Sequence, residues 1–156
     1  MHLKSEIIVP QHIEDVSKFF FEPSNLSKWD RSVAKVIPAS SIAGSENTFV
    51  TVAPAGMKMG YRVLELEYGK STKILLTDSK MFREAIWHFE FAAVREGTKI
   101  TCHIYFKPRL KYVFLSPILW LNKHALLRDL EFLKIALEKN TDANCSNPVV
   151  KFPANS

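Results

Sequence analysis

The chain has 156 residues, 47% of them hydrophobic and 24% charged, with 21 basic and 16 acidic side chains giving a formal net charge of +5. That size fits one domain able to bury a core without metal or disulfide, and so apolar a chain is not mostly disordered. The charge is mild; the unusual quantity is the aromatic content, 11 Phe, 4 Tyr and 3 Trp, which calls for a wide core or a core with a hole in it.

Residues Lys4 to Val9 read as a first strand, stopped by Pro10. Ile13, Val16, Phe19 and Phe20 then recur at helical spacing, with Glu14 and Asp15 in the first turn where the macrodipole favours acids. Pro23-Ser24 breaks that helix, and Ser24 is placed to cap a second, short one that ends near Trp29. After Trp29 the apolar period changes from about 3.6 to about 2. Val33–Pro38, Thr48–Val52, Met57–Leu66, Thr72–Thr77, Phe82–Val94 and Thr98–Lys107 all read as strands. The links between them are too short for parallel crossovers, so the sheet is an antiparallel meander.

Ser116-Pro117 offers a cap and a first-turn proline for a last helix running to about Lys139, roughly 35 Å long. Leu119, Leu126, Leu130, Leu133 and Leu137 form its apolar stripe, widened by Ala125, Phe132 and Ala136. His124, Arg128, Glu131, Lys134 and Glu138 lie opposite, facing water. Residues 1–140 are read as the domain and the polar segment 141–156, with Pro148 and Pro153, as a disordered tail. One wide sheet and one long amphipathic helix bury their apolar faces on each other, an α+β architecture in which a curved sheet wraps the helix.

The hairpin around Arg95-Glu96 has one register that puts every apolar residue on one face. Val94 then pairs with Gly97, Phe91 with Ile100, Phe89 with Cys102 and Trp87 with Ile104. By itself such a face is ordinary core. Here one helix cannot fill the concave side of so long a sheet, so Trp87, Phe89, Phe91, Ile104 and Phe106 are read as the wall of a cavity.

Element order and three segments resemble the START-like, or SRPBCC, superfamily in its polyketide cyclase/dehydrase-like and lipid-transport branch. The segments are Pro10-Gln11-His12-Ile13-Glu14-Asp15-Val16 through Phe19-Phe20, then Asn25-Leu26-Ser27-Lys28-Trp29-Asp30 followed by Val33, then Gly97-Thr98. The resemblance covers roughly residues 3–139 and departs from the common pattern at Arg31, where a proline often follows the Trp-Asp pair. It implies the helix-grip fold, with about seven strands around a long C-terminal helix and two short helices between strands one and two. It also implies an internal cavity for a lipid, isoprenoid, polyketide or other apolar molecule. It implies no particular reaction.

Trp29 matches the family's tryptophan and is expected to pack the short helix on the mouth of the sheet, ligand contact coming second. Asn122 and Asp129, seven residues apart, share the helix face beside Leu126, Leu130 and Leu133. A carboxylate there must be paired, protonated or at a wet rim. The bland reading of Asp129 is a rim salt bridge; the functional one makes Asn122 and Asp129 polar anchors in an apolar pocket. Tyr61 is a further polar group for the same pocket. Lys58, Arg62 and Arg83 are read as solvated charges on the outer face, and His88 and His103 as an opposed outer-face pair without a third metal ligand.

No nucleophile elbow, HExxH or Gly-rich phosphate loop occurs, and Cys102 and Cys145 form no framework. No cofactor, metal or nucleic-acid partner is expected. The N-terminus carries charge where a signal peptide is apolar, and no apolar run reaches the ~20 residues of a membrane span, so the expectation is a cytoplasmic protein. The Lys107–Trp120 region mixes basic and aromatic residues; it reads as a loop packed on its own domain, with transient docking on an anionic membrane as the functional alternative. Binding or transport of a small hydrophobic ligand is the leading function. A cyclase/dehydratase-type enzyme, with Asp129 or Tyr61 moving protons, is the first alternative; an interaction module without ligand is the second. The sequence does not give the ligand or the oligomeric state.

Overall fold

A computed structural model of the chain describes residues 1–38, 47–115 and 123–145. Asn122 and the cap at Ser116-Pro117 therefore lie outside the described residues, and Leu126 is described by its backbone alone. Seven strands form one antiparallel sheet: β1 (His2–Val9), β2 (Lys35–Pro38), β3 (Thr48–Val52), β4 (Lys58–Glu67), β5 (Ser71–Leu76), β6 (Phe82–Val94) and β7 (Gly97–Pro108). Their order is β1-β7-β6-β5-β4-β3-β2, so the meander is closed on one side by the first strand pairing with the last. Between β1 and β2 lie helix α1 (Ile13–Phe20), a 3-10 turn (Pro23–Asn25) and the short helix α2 (Leu26–Trp29). The chain returns through a 3-10 turn (Leu110–Leu115) to the long helix α3 (Lys123–Cys145).

The hairpin register is the one that the alternation of apolar residues predicts: Val94 pairs with Gly97, Phe91 with Ile100, Phe89 with Cys102 and Trp87 with Ile104. The extra length of β6 and β7 is absorbed by a bulge between Phe82 and Glu84, and β4 carries another between Val63 and Glu65. Bulges raise local twist and bend the strand, which lets a long sheet curve.

Two local readings need correction. Ser24 does not cap the short helix; its hydroxyl and amide both donate to the Glu22 carboxylate (3.0 and 3.5 Å), while Asn25 Nδ2 donates to the carbonyl of Phe19 at 2.9 Å. A Pro at the first helical position leaves the preceding residue as the cap, and Glu22 holds that position. The last helix also does not stop near Lys139 but runs to Cys145. No Gly or Pro falls between Lys139 and Cys145, and the Thr141 hydroxyl donates to the Leu137 carbonyl at 3.0 Å within the same helix.

The packed core is off-centre. Helix α3 contacts β1 and α2, and its Leu130, Leu133 and Leu137 are fully buried against Leu3 and Val9 of β1, Ile100, Cys102 and Ile104 of β7, and Phe89 and Phe91 of β6. Val16 and Phe19 of α1 complete that cluster. No residue of β2 to β5 belongs to it among the described residues. Among the described residues, the helix thus packs on the β1-β7-β6 side of the curved sheet.

Candidate functional site: an aromatic-walled cavity

Beside that core, on the β3-β4-β5 side of the sheet, lies a cavity of about 510 Å³. That is within the ~300–1,000 Å³ typical of small-molecule sites. Its floor is the inner face of four strands, where alternation brings Phe49 and Thr51 (β3), Tyr61 and Val63 (β4), Thr72, Ile74 and Leu76 (β5), and Trp87 and Phe89 (β6) to one side. Phe106 of β7 and Phe82 of β6 close one end, stacked at 5.0 Å. Phe20, Phe21, Leu26 and Trp29 come down from the short helices. From α3 come Asp129 and Leu130.

The rings brace one another. Trp87 stands edge-on between Tyr61 (5.9 Å) and Phe106 (6.0 Å), Phe49 stacks on Tyr61 at 5.2 Å, and Phe20 bridges Trp29 (5.7 Å) and Phe89 (4.8 Å). Such contacts contribute about 0.5–1.5 kcal/mol each beyond simple burial and hold the wall in place.

Of the residues singled out from sequence, Trp29, Tyr61, Trp87, Phe89, Phe106, Asp129 and Leu130 line the cavity together. Phe91, Ile104 and Leu133 do not; they lie in the packed cluster where α3 covers β6 and β7. The alternation that places them on the inner face is correct, but it cannot tell where along that face the helix lies. Phe49, Thr51, Ile74 and Leu76 line the wall although none was singled out. Their strands are short and partly exposed, and the only signal was that they face the same side as Trp87.

The polar groups are few and they interact. Asp129 is half-buried, and its carboxyl is raised from the ordinary 3.8 to about 6, first by burial, then by the negative charge of Asp30, with Arg128 opposing. Burial also pushes the Tyr61 phenol upward; the neighbouring Thr51 hydroxyl opposes that shift and Asp30 adds to it. Asp30 is thus felt by both groups. It caps the turn after α2, where its Oδ1 accepts from the Ser32 amide (2.9 Å) and hydroxyl (2.6 Å). Trp29 Nε1 and Thr51 Oγ1 are buried with no well-formed hydrogen bond among the described residues.

The other expected polar features lie elsewhere. Lys58, Arg62 and Arg83 are exposed and line none of the cavity. Asp129 makes no salt bridge among the described residues; its nearest cationic influence is Arg128. His88 and His103 do oppose each other, and a third ring joins them: His2 Nε2 lies 3.0 Å from His103 Nδ1. His88 and His103 flank Glu90 at 3.7 and 3.5 Å. The His2 and His103 rings stack at 9°, and no group of three or more His, Cys, Asp or Glu that could hold a metal occurs among the described residues. Cys102 is fully buried, and burial pushes its thiol far up, leaving it inert packing.

The Gly97-Thr98 pair has a structural role. A side chain at Gly97 would meet the Val9 carbonyl at 2.2 Å, and the buried Thr98 hydroxyl donates to the Gln11 carbonyl at 2.8 Å, tying the entry to α1 onto the sheet.

No family model and no curated protein matches the sequence. Solved structures do match the fold. A protein from Mesorhizobium loti superposes with a TM-score of 0.69 at 14% identity, over 89% of this chain and 98% of that one. The di-domain ARO/CYC StfQ from the steffimycin biosynthetic pathway gives 0.66 at 15%, over 90% of this chain and 52% of StfQ, so this chain spans about half of that protein. Ara h 8.0201 gives 0.68 at 10%, over 90% and 99%. What these proteins share with this chain is the curved antiparallel sheet closed on a C-terminal helix.

Proposed function

We propose, from the START-like (SRPBCC) helix-grip fold that this chain has, that the protein binds a small hydrophobic ligand in its internal cavity. One observation carries the reading: a ring-walled space of about 510 Å³ persists beside a fully packed core. Apolar space that size costs stability unless something fills it. The fold likeness to the di-domain ARO/CYC StfQ is compatible with an apolar ligand.

Two experiments test it. Native mass spectrometry of protein purified from its source should show a co-purifying molecule. A neutral solvatochromic dye such as Nile red should bind one per chain and be lost in Ile74→Trp, which places a larger ring in the void from the middle of β5. A dye that binds Ile74→Trp unchanged would place the site elsewhere.

A second reading rests on Asp30, Asp129 and Tyr61. Asp129 and Tyr61 both feel the charge of Asp30 in an apolar cavity, and a carboxyl with a pKa of about 6, as at Asp129, is suited to moving a proton, as a cyclase/dehydratase-type enzyme requires.

Delivery to a membrane is the remaining part of the proposal. The turn Leu110–Leu115 exposes Leu110 (93%) and Phe114 (71%) beside exposed Lys107, Arg109 and Lys111. Apolar tips ringed by basic groups suit an anionic bilayer surface. Among the described residues no helix is long and apolar enough to cross a membrane, so such contact would be at the surface. The chain should float with phosphatidylserine vesicles and not with phosphatidylcholine vesicles, and Leu110→Asp with Phe114→Asp should abolish flotation.

A further inference from the structure

The exposed basic side chains are not spread evenly over the sheet. Three connections lie at one end of it: the β3–β4 turn, the β5–β6 turn and the 3-10 turn that follows β7. The strand ladder fixes them side by side. Lys58 pairs with Val52, the Thr77 amide donates to the Gly60 carbonyl at 2.8 Å, Phe82 pairs with Pro108, and the Arg109 amide donates to the Met81 carbonyl at 3.0 Å. Each connection joins an exposed apolar side chain to exposed cations. Met57 (61% exposed) stands beside Lys58, Met81 (37%) beside Lys80 and Arg83, and Leu110 and Phe114 beside Lys107, Arg109 and Lys111. The acids there are Asp78 and Glu84, and Glu84 already faces Lys107 across the ladder. The connection into β2, with Asp30, Arg31 and Lys35, reaches the same end and does not reverse the sign. From residue 116 to residue 128 the sequence holds no acidic side chain.

The opposite end has the opposite sign. There the β4–β5 hairpin exposes Leu66 and Tyr68, but Glu67 stands between them and holds Lys70 in an ion pair. The β6–β7 hairpin adds Arg95 and Glu96. Helix α1, tied to that hairpin by the Thr98–Gln11 hydrogen bond, brings Glu14, Asp15 and Lys18, with Glu22 after it. Apolar tips thus occur at both ends, and charge chooses between them. A layer of anionic headgroups attracts the first end and repels the second. A nucleic acid would use the cations of the first end but leave Met57, Met81 and Leu110 without apolar contact, whereas the boundary between headgroups and acyl chains takes both.

We infer that the three connections form one docking face for an anionic bilayer. Phe82 and Phe106, which close one end of the cavity, stand on β6 and β7 next to these turns, so docking sets that end of the cavity against the lipid. The inference rests on the membrane-delivery reading proposed above and extends it from one turn to a whole end of the sheet.

The test measures partition of the full chain onto phosphatidylserine-containing vesicles by cosedimentation. Lys58→Ala and Lys80→Ala lie far in sequence from the 3-10 turn, and each should weaken partition about fivefold, the usual effect of one basic side chain at such a surface. Lys70→Ala removes the same charge at the opposite end and should leave partition unchanged. All three side chains are exposed, so the variants should keep the wild-type unfolding midpoint. Wild-type partition in both Lys58→Ala and Lys80→Ala would confine contact to the 3-10 turn, which overturns the three-turn face while the membrane reading stands. An equal loss in Lys70→Ala would make net charge the cause and overturn the face as well. A chain that binds no such vesicle, whether or not it retains a single-stranded DNA oligomer, overturns both.

Discussion

The free energy of a half-buried carboxylate depends on its proton. Asp129 holds its proton up to about pH 6 in the folded chain, against an ordinary value of 3.8, because burial and the Asp30 charge both disfavour the anion. The folded state therefore binds the proton more tightly than the unfolded one between those values. This stabilising contribution is complete below about pH 4 and is lost as pH rises through 6. Asp129→Asn, which keeps the shape without the charge, should raise the urea midpoint at pH 8 and leave it unchanged at pH 4. An equal effect at both pH values would mean that charge is not the cause. At this scale the sequence was partly legible. Helical spacing alone puts Asp129 beside the leucine stripe, so its peculiarity could be read. Asp30 sits on a turn with no period to read, and only the fold carries its charge to Asp129 and Tyr61.

Elements fit where two backbones approach closely. Gly97 has φ of +130° and faces the Val9 carbonyl across β1 and β7. Gly97→Ala combines a backbone conformation that L residues avoid with a contact at 2.2 Å, and should cost about 3 kcal/mol in a urea titration. The register of β6 on β7 was legible because only one pairing buries Trp87, Phe89 and Phe91 together with Ile100, Cys102 and Ile104. The end of α3 was not, because a polar stretch without Gly or Pro can continue a helix or leave it, and hydropathy is silent on which. Cap assignment failed for a related reason: Ser24 and Glu22 both suit a helix start, and the φ of Pro23 decided between them.

Among the described residues, a close-packed core lies beside an aromatic-walled cavity. Leu133 is fully buried in the first, and Leu76 lines the second. Leu133→Ala should lose about 3 kcal/mol, the usual cost of a cavity in a close-packed core. Leu76→Ala should lose about 1 kcal/mol, since its side chain already borders space. Equal losses in thermal or urea unfolding would mean that the cavity wall is packed as tightly as the core. The aromatic excess, the alternation of the strands and the leucine stripe determined the α+β class, the antiparallel order and which faces point inward, because these follow from local periodicity and from the need to bury apolar surface. Where α3 lies across the inner face is a matter of long-range packing between elements far apart in the chain. That placement decided that Phe91, Ile104 and Leu133 are core, that Phe49, Ile74 and Leu76 are wall, and that Trp29, Asp30, Tyr61 and Asp129 share one cavity.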